Sequence, residues 1–372
     1  VINLSPLLSN QTLVENPVYK LILGHESSNK SNVAYFGTII PKGSYQFSSS
    51  VSAREADNQL SPIGEVKNTA LSKSDIFTSL AKYNDNGYSI LSLENFEMSY
   101  GIPSSPEGHI DGVDLKMKKT SQKFKYHADI NLGKYNTLDV EQGHVNYEHR
   151  EFENNKSYHA VLLSHVINYF KVDISSDIFK FGGLYQRKKF IAGGFYWTPN
   201  TYEDKLAIYA SKKGVIFGYD TDYSGRIEHR SIRPRSGETF FSNLDANEVR
   251  NRQFTLVSGG VSFFKEREYL SNYYQILFTS RAPSIEDLYS DGPHLGNYAY
   301  EIGDPNLKQE NTLGFENTLS MFNSKSSLDF TSYLNYSPNY HISTKMGDGY
   351  FPGAEWVEWG SGPIGWLYKY NL

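Results

Sequence analysis

From Leu313 to Tyr336 the chain alternates apolar and polar side chains one by one, a period that belongs to β-strands and not to helices. Leu313, Phe315, Leu319 and Met321 fall on one face, and Gly314, Glu316, Thr318 and Ser320 on the other, with Asn317 the one misfit. A turn over 324–327 reverses the chain, and Leu328, Phe330, Leu334 and Tyr336 then restore the apolar face against Asp329, Thr331, Tyr333 and Asn335. Upstream, a second strand opens near Ser271 and ends at Arg281, so the connection between the two strands runs from Ala282 to about Glu310. Loops longer than about 15 residues argue against a compact soluble domain. Outer-membrane barrels, by contrast, join strands by short turns on the periplasmic side and long loops outside.

The 372 residues suffice for two ordinary domains or one large barrel. Tyr (29) and Phe (22) are abundant, the mean hydropathy is −0.51, and no apolar run is long enough for a membrane-spanning helix. A barrel wall needs an apolar residue only at every second position, so this polar average is compatible with membrane insertion. The expected fold class is therefore all-β, a transmembrane antiparallel up-and-down β-barrel. Cysteine is absent, which removes disulfide frameworks, thiolate zinc sites and cysteine nucleophiles. A net charge of −5 gives no basic footprint for nucleic acid. The sequence singles out no catalytic motif, and no enzyme activity is expected. Val1-Ile2-Asn3-Leu4 has neither the start methionine nor the basic and apolar regions of a signal peptide, as expected of a fragment or a trimmed chain.

Residues 1–16 are aperiodic and read as the tail of a preceding domain or a linker; 17–372 reads as the barrel, incomplete at its C-terminus. Strands are expected over 19–25, 33–40, 45–54, 74–83, 88–100, 113–130, 138–153, 158–166, 172–187, 205–210, 216–229 and 254–264. With those around and after the long connection they number about fifteen, and Tyr368–Leu372 starts another. Turns are expected at P-K-G-S, N-D-N-G, N-L-G-K-Y-N, I-N-Y-F-K and S-K-K-G-V. Lys116, Lys118, Lys123 and Lys125 require much of their strand to face water, in a lumen or above the bilayer.

The segments R-A-P-S-I-E-D-L-Y-S-D-G-P-H and Y-E-I-G-D-P-N-L-K-Q-E-N resemble the part of TonB-dependent outer-membrane receptors that closes one strand, forms an extracellular loop and opens the next. S-Y-G-I-P-S-S-P-E-G-H-I-D-G-V-D-L-K-M-K-K-T (99–120) and I-A-G-G-F-Y-W-T-P-N-T-Y-E-D-K-L-A-I-Y-A (191–210) are most similar to the zinc-regulated subgroup. The resemblance implies a multi-pass protein of the bacterial outer membrane: about 15 strands of an expected 22, with the plug domain absent. It implies active import of a scarce nutrient, zinc or a metal chelate such as a siderophore or haem, captured by extracellular loops. It also implies outer-membrane lipid around the barrel, a TonB-type energising complex acting through the N-terminal plug segment, and no tightly bound cofactor. The alternative is a passive porin-like channel, a complete barrel of about 14 to 16 strands.

Glu107, His109 and Asp111 would share one face of an extended segment, and imidazole with carboxylates suits Zn²⁺. Relatives can carry several consecutive histidines at that place; this chain has one, and the triplet also fits a solvated loop. His294, near Asp291 and Glu286, could supply a ligand from a neighbouring loop or hold loop structure. Trp197, Tyr298, Tyr300 and Trp356 could stack a flat ligand such as a haem, siderophore or sugar ring, or could pack large loops and the interfacial belt. Arg281 resembles the family's arginine at a strand top and reads as structural, as do the turn formers Asp304, Pro305 and Asn306. His144, His149, His159 and His165 read as lumen or girdle residues.

Overall fold

The computed structural model describes residues 12–104, 112–153, 157–194, 198–235, 244–245, 247–294, 299–349 and 365–371. Strands β1 (Val18–Glu26), β2 (Ser31–Lys42) and β3 (Tyr45–Ala56) precede a small hairpin, β4 (Gln59–Ser61) and β5 (Gly64–Val66). The chain continues through β6 (Leu71–Asn84), β7 (Gly87–Ile102), β8 (Val113–Leu132), β9 (Tyr135–Glu153), β10 (Val161–Ser175) and β11 (Phe179–Gly194). Next come β12 (Thr201–Ile216), β13 (Tyr219–Pro234), β14 (Arg252–Arg267), β15 (Leu270–Arg281), helix α1 (Ile285–Tyr289), β16 (Asp291–His294) and β17 (Ala299–Ile302). The last elements are β18 (Glu310–Phe322), β19 (Ser327–Tyr336), β20 (Ile342–Gly349) and β21 (Gly365–Asn371).

Fifteen of these strands form one sheet in chain order, β1-β2-β3-β6 through β15-β18-β19, each antiparallel to its neighbours. One rim carries the short connections 43–44, 85–86, 133–134, 176–178, 217–218, 268–269 and 323–326. The other carries 27–30, 57–70, 103–112, 154–160, 195–200, 235–251 and 282–309. Segregation of turns and loops to opposite rims is the asymmetry of an outer-membrane barrel wall, and it defines the loop rim as the outer one. β1 and β19 are the sheet edges, and every residue of both is exposed.

The two faces differ in chemistry as the alternation requires. On β3, Tyr45, Phe47, Val51 and Ala53 are exposed, while Gln46, Ser48, Ser50, Ser52 and Arg54 lie on the more enclosed side. Across strands the exposed side is continuous: Ile276 pairs with Phe315 and Phe315 with Leu334, all three exposed. A soluble protein would bury that face. Moving a Leu, Ile or Phe side chain out of water is worth about 1.5–3 kcal/mol, a gain this face makes against lipid. Asn317 sits in the apolar row, but its Nδ2 donates to the Tyr273 carbonyl at 3.1 Å, so its amide does not require water.

The enclosed face is polar and paired. Lys119 lies 2.9 Å from Glu94, Lys171 lies 2.8 Å from Asp173, and Lys205 lies 3.2 Å from Glu203. A tilted strand crosses a bilayer in about 9–11 residues; the 20 residues of β8 therefore extend well beyond it. Lys116 and Lys118 are exposed near its outer end on the lipid-side face, a place compatible with water only where the strand extends past the bilayer.

Three expectations are corrected. The turn expected at I-N-Y-F-K lies in the interior of β10, and the reversal comes at 176–178, where Ser176 Oγ accepts from the Phe179 amide at 3.0 Å. The S-K-K-G-V turn likewise lies inside β12; the chain reverses at Phe217 and Gly218, both at positive φ (51° and 73°), the conformation of a tight hairpin turn. Lys171 is accommodated within the wall by its pairing with Asp173, and Lys212 and Lys213 lie within β12. The strand begun near Tyr368 does not extend the wall: β21 pairs in parallel with β17 and antiparallel with β20 in a separate four-stranded sheet.

Candidate functional site at the outer mouth

The longest connection, 282–309, folds back over the enclosed face of the wall. Ser284 caps α1, its Oγ accepting from the Asp287 amide at 2.9 Å while the Asp287 carboxylate accepts from the Ser284 amide at 2.9 Å. The helix is thereby fixed with Ile285, Leu288 and Tyr289 fully buried against Phe190 of β11, Ile232 of β13 and Phe254 and Leu256 of β14. The Tyr289 hydroxyl donates to the Arg250 carbonyl at 2.8 Å, and burial pushes its pKa up to about 12. Arg252 donates to the carbonyls of Pro305 and Leu307, the latter at 2.7 Å. Asp304 forms the expected turn, its Oδ1 accepting from the Asn306 amide at 2.8 Å.

Arg281 and Glu310 are cross-strand partners at the base of this loop and lie 2.9 Å apart, the structural role expected for that arginine. Burial raises the Glu310 pKa, but the His341 amide and the Arg281 guanidinium more than offset this and hold it below its ordinary value. A second apolar cluster lies beside the cap on the same face: Val113, Leu115, Ala160 and Val161, with Tyr100, Ile102, Leu163 and Ala192 packed against it. The mouth is thus lined by a structured loop and an apolar collar, and charged pairs begin below them.

Towards the short-turn rim a cavity of about 290 Å³ is lined by Tyr88, Lys125, His127, Glu141, Lys171 and Asp173, among others. His127 Nδ1 lies 2.9 Å from Asp139, and its ring stacks on Tyr88 at 5.0 Å. A larger hollow of about 440 Å³, floored by Phe124, Gln142, His144 and Phe170, opens on the lipid-side face and so lies outside any path through the lumen. His144 lines that hollow, 2.8 Å from Asn168, whereas His149 and His165 face the lumen.

Of the residues expected to bind ligand, Glu107, His109, Asp111, Trp197, Tyr298 and Trp356 lie outside the described residues. The backbone places His294 at the end of β16 and Tyr300 in β17, where Tyr300 pairs with Pro293, so both belong to one hairpin. No group of three or more His, Cys, Asp or Glu side chains that could hold a metal ion occurs among the described residues. The apolar anchors of the cap were missed by sequence reasoning; the S-I-E-D capping pattern was the available signal.

Long antiparallel strands in simple succession, apolar outward and polar inward, with all large loops on one rim, define the wall of a transmembrane β-barrel. Solved structures with this fold include the copper transporter OprC (12% identity, TM-score 0.73, 90% of this chain and 56% of that one). The hemophore receptor HasR of Serratia marcescens, solved with its hemophore and heme, matches at 10% identity and TM-score 0.64, over 95% of this chain and 58% of its own. The siderophore receptor PirA of Pseudomonas aeruginosa matches at 12% identity and TM-score 0.61, over 96% and 61%. The chain spans somewhat more than half the length of these proteins. No family model matches it, and no curated protein matches it in sequence.

Proposed function

We propose that this chain is the barrel wall of a TonB-dependent importer that takes a metal ion or a metal chelate across the bacterial outer membrane. The observation that carries this reading is the outer rim, which bears every wall connection longer than four residues, the longest packed back over the enclosed face. Such a mouth offers loops for capture above a lined passage. The copper, hemophore and siderophore proteins named above share the fold, and they support cargo of this class. Zinc is the finer reading, drawn from the resemblance at 99–120, where Glu107, His109 and Asp111 occupy the loop joining β7 and β8. The plug, the energising complex and the remaining strands belong to the proposal.

Uptake of radiolabelled zinc, copper and ferric siderophore by cells expressing the protein tests this. Active import requires uptake that stops when the proton-motive force is dissipated or the TonB-type motor is deleted. Uptake indifferent to both would establish a passive channel. Repression of expression by zinc rather than iron would support zinc as cargo, and a response to iron alone would remove it.

A further inference from the structure

The chain has four methionines, and two of them, Met98 on β7 and Met117 on β8, are direct cross-strand partners. Met117 is in turn the partner of His149 on β9, so the three residues form one row over three adjacent strands. All three lie on the lumenal face. The alternation that encloses Tyr88, Ile90 and Ser92 carries through β7 to Met98, and the buried Glu151 sets the same parity on β9. Directly opposed residues on one face have Cβ atoms about 4.5–5.5 Å apart, and methionine's flexible chain lets two sulfurs and an imidazole nitrogen converge.

The imidazole is already oriented. His149 Nε2 lies 3.1 Å from the Glu151 carboxylate, which is fully buried, and a proton donated along that line leaves the lone pair on Nδ1. Among the described residues, Nδ1 has one long contact, 3.5 Å from the Tyr147 hydroxyl. A carboxylate behind a histidine is the arrangement that fixes the tautomer and raises the basicity of a metal-binding imidazole. Two residues down β8, Lys119 is held by Glu94 at 2.9 Å, so its charge is neutralised locally. On the rim side lies the apolar collar of Tyr100, Leu115 and Leu163. Thioethers with imidazole in such surroundings favour a soft metal over a hard one.

We propose that Met98, Met117 and His149 form a lumenal site for a soft monovalent metal ion of the Cu⁺ class, with Glu151 as the positioning residue behind His149. The inference rests on the importer reading in treating the bound ion as cargo passing below the mouth. The connection 103–112 joins the same two strands that carry the methionines.

The test is direct titration of the detergent-purified protein with Ag⁺, a redox-stable probe for this class, and with Cu⁺ against a chelating competitor. One ion should bind per chain, and Met98→Leu and Met117→Leu should each weaken binding at least tenfold. Met321→Leu, the same change on the lipid-side face, should have no effect. X-ray absorption of the Cu⁺-loaded wild-type protein should show sulfur neighbours, a readout that does not depend on the variants folding. Failure of the wild-type protein to bind Ag⁺, undiminished binding by the Met98→Leu/Met117→Leu double variant, or an oxygen and nitrogen shell without sulfur would each overturn the site. Uptake measured separately distinguishes the cases: energised import with no Ag⁺ binding defeats only this inference, whereas Ag⁺ binding without energised import defeats the importer reading.

Discussion

The Tyr209 hydroxyl on β12 donates a 2.6 Å hydrogen bond to Asp173 on β10, spanning the strand between them. Its ring crosses β11 at Gly182, its direct partner, where any Cβ would overlap ring and carboxylate. A shorter version occurs between β10 and β9: Tyr169 lies over Gly143 and donates at 2.7 Å to Glu141, on the same strand as that glycine. A glycine here is a slot for a tyrosine that fastens neighbouring strands on the lumenal face. Gly182→Val and Gly143→Val should each destabilise the barrel by about 1–3 kcal/mol through overpacking. The check is the temperature at which the folded band in unheated SDS gels converts to the unfolded one. An unchanged transition would mean that the rings do not occupy those slots.

The sidedness of the wall yields a second prediction. Phe315→Arg, on the lipid-side face of β18, should cost about 2–4 kcal/mol if it lies near mid-bilayer. Thr318→Arg, three residues away on the lumenal face, should cost under about 1 kcal/mol. Urea titration of protein folded into lipid vesicles measures both.

The cap over the mouth should come loose when its anchor is shortened. Leu288 is fully buried within the cap cluster, and Leu288→Ala should cost about 2–5 kcal/mol. That loss falls on local opening of the loop rather than on the wall. Hydrogen exchange should accelerate across 282–309 and remain slow in β14 and β15.

Acid should weaken the base of the same loop. The Glu310 carboxyl has a folded pKa below its unfolded value of about 4.3. Its contribution is therefore complete above the unfolded pKa and is lost as pH falls through the folded one. Loop protection measured by hydrogen exchange should decline below about pH 4 in the wild-type protein. In Glu310→Gln protection should be lower at neutral pH and that portion of the acid dependence should disappear.

Much of the wall was legible because its chemistry is periodic. Leu313, Phe315, Leu319 and Met321 announced their face, and the structure places them there. Strand boundaries were less legible where lysines lie within strands, since Lys171 resembles a turn residue until Asp173 is seen beside it. The tyrosine–glycine slots depend on register between strands, which no single segment records. Helix α1 spans only five residues, too few for a helical period to show. His149 could be read as a lumen residue, but its alignment with Met98 and Met117 exists only once β7, β8 and β9 are paired.

Since the chain has no cysteine, single substitutions along β18 can be labelled without background. A fluorophore placed in turn at each position from Leu313 to Met321, in protein folded into vesicles, should report two alternating environments. Leu313, Phe315, Leu319 and Met321 should be quenched by brominated lipid, and Gly314, Glu316, Thr318 and Ser320 by an aqueous quencher. Quenching from water at all of these positions, or the absence of a two-residue period, would contradict a wall with lipid on one side and a lumen on the other.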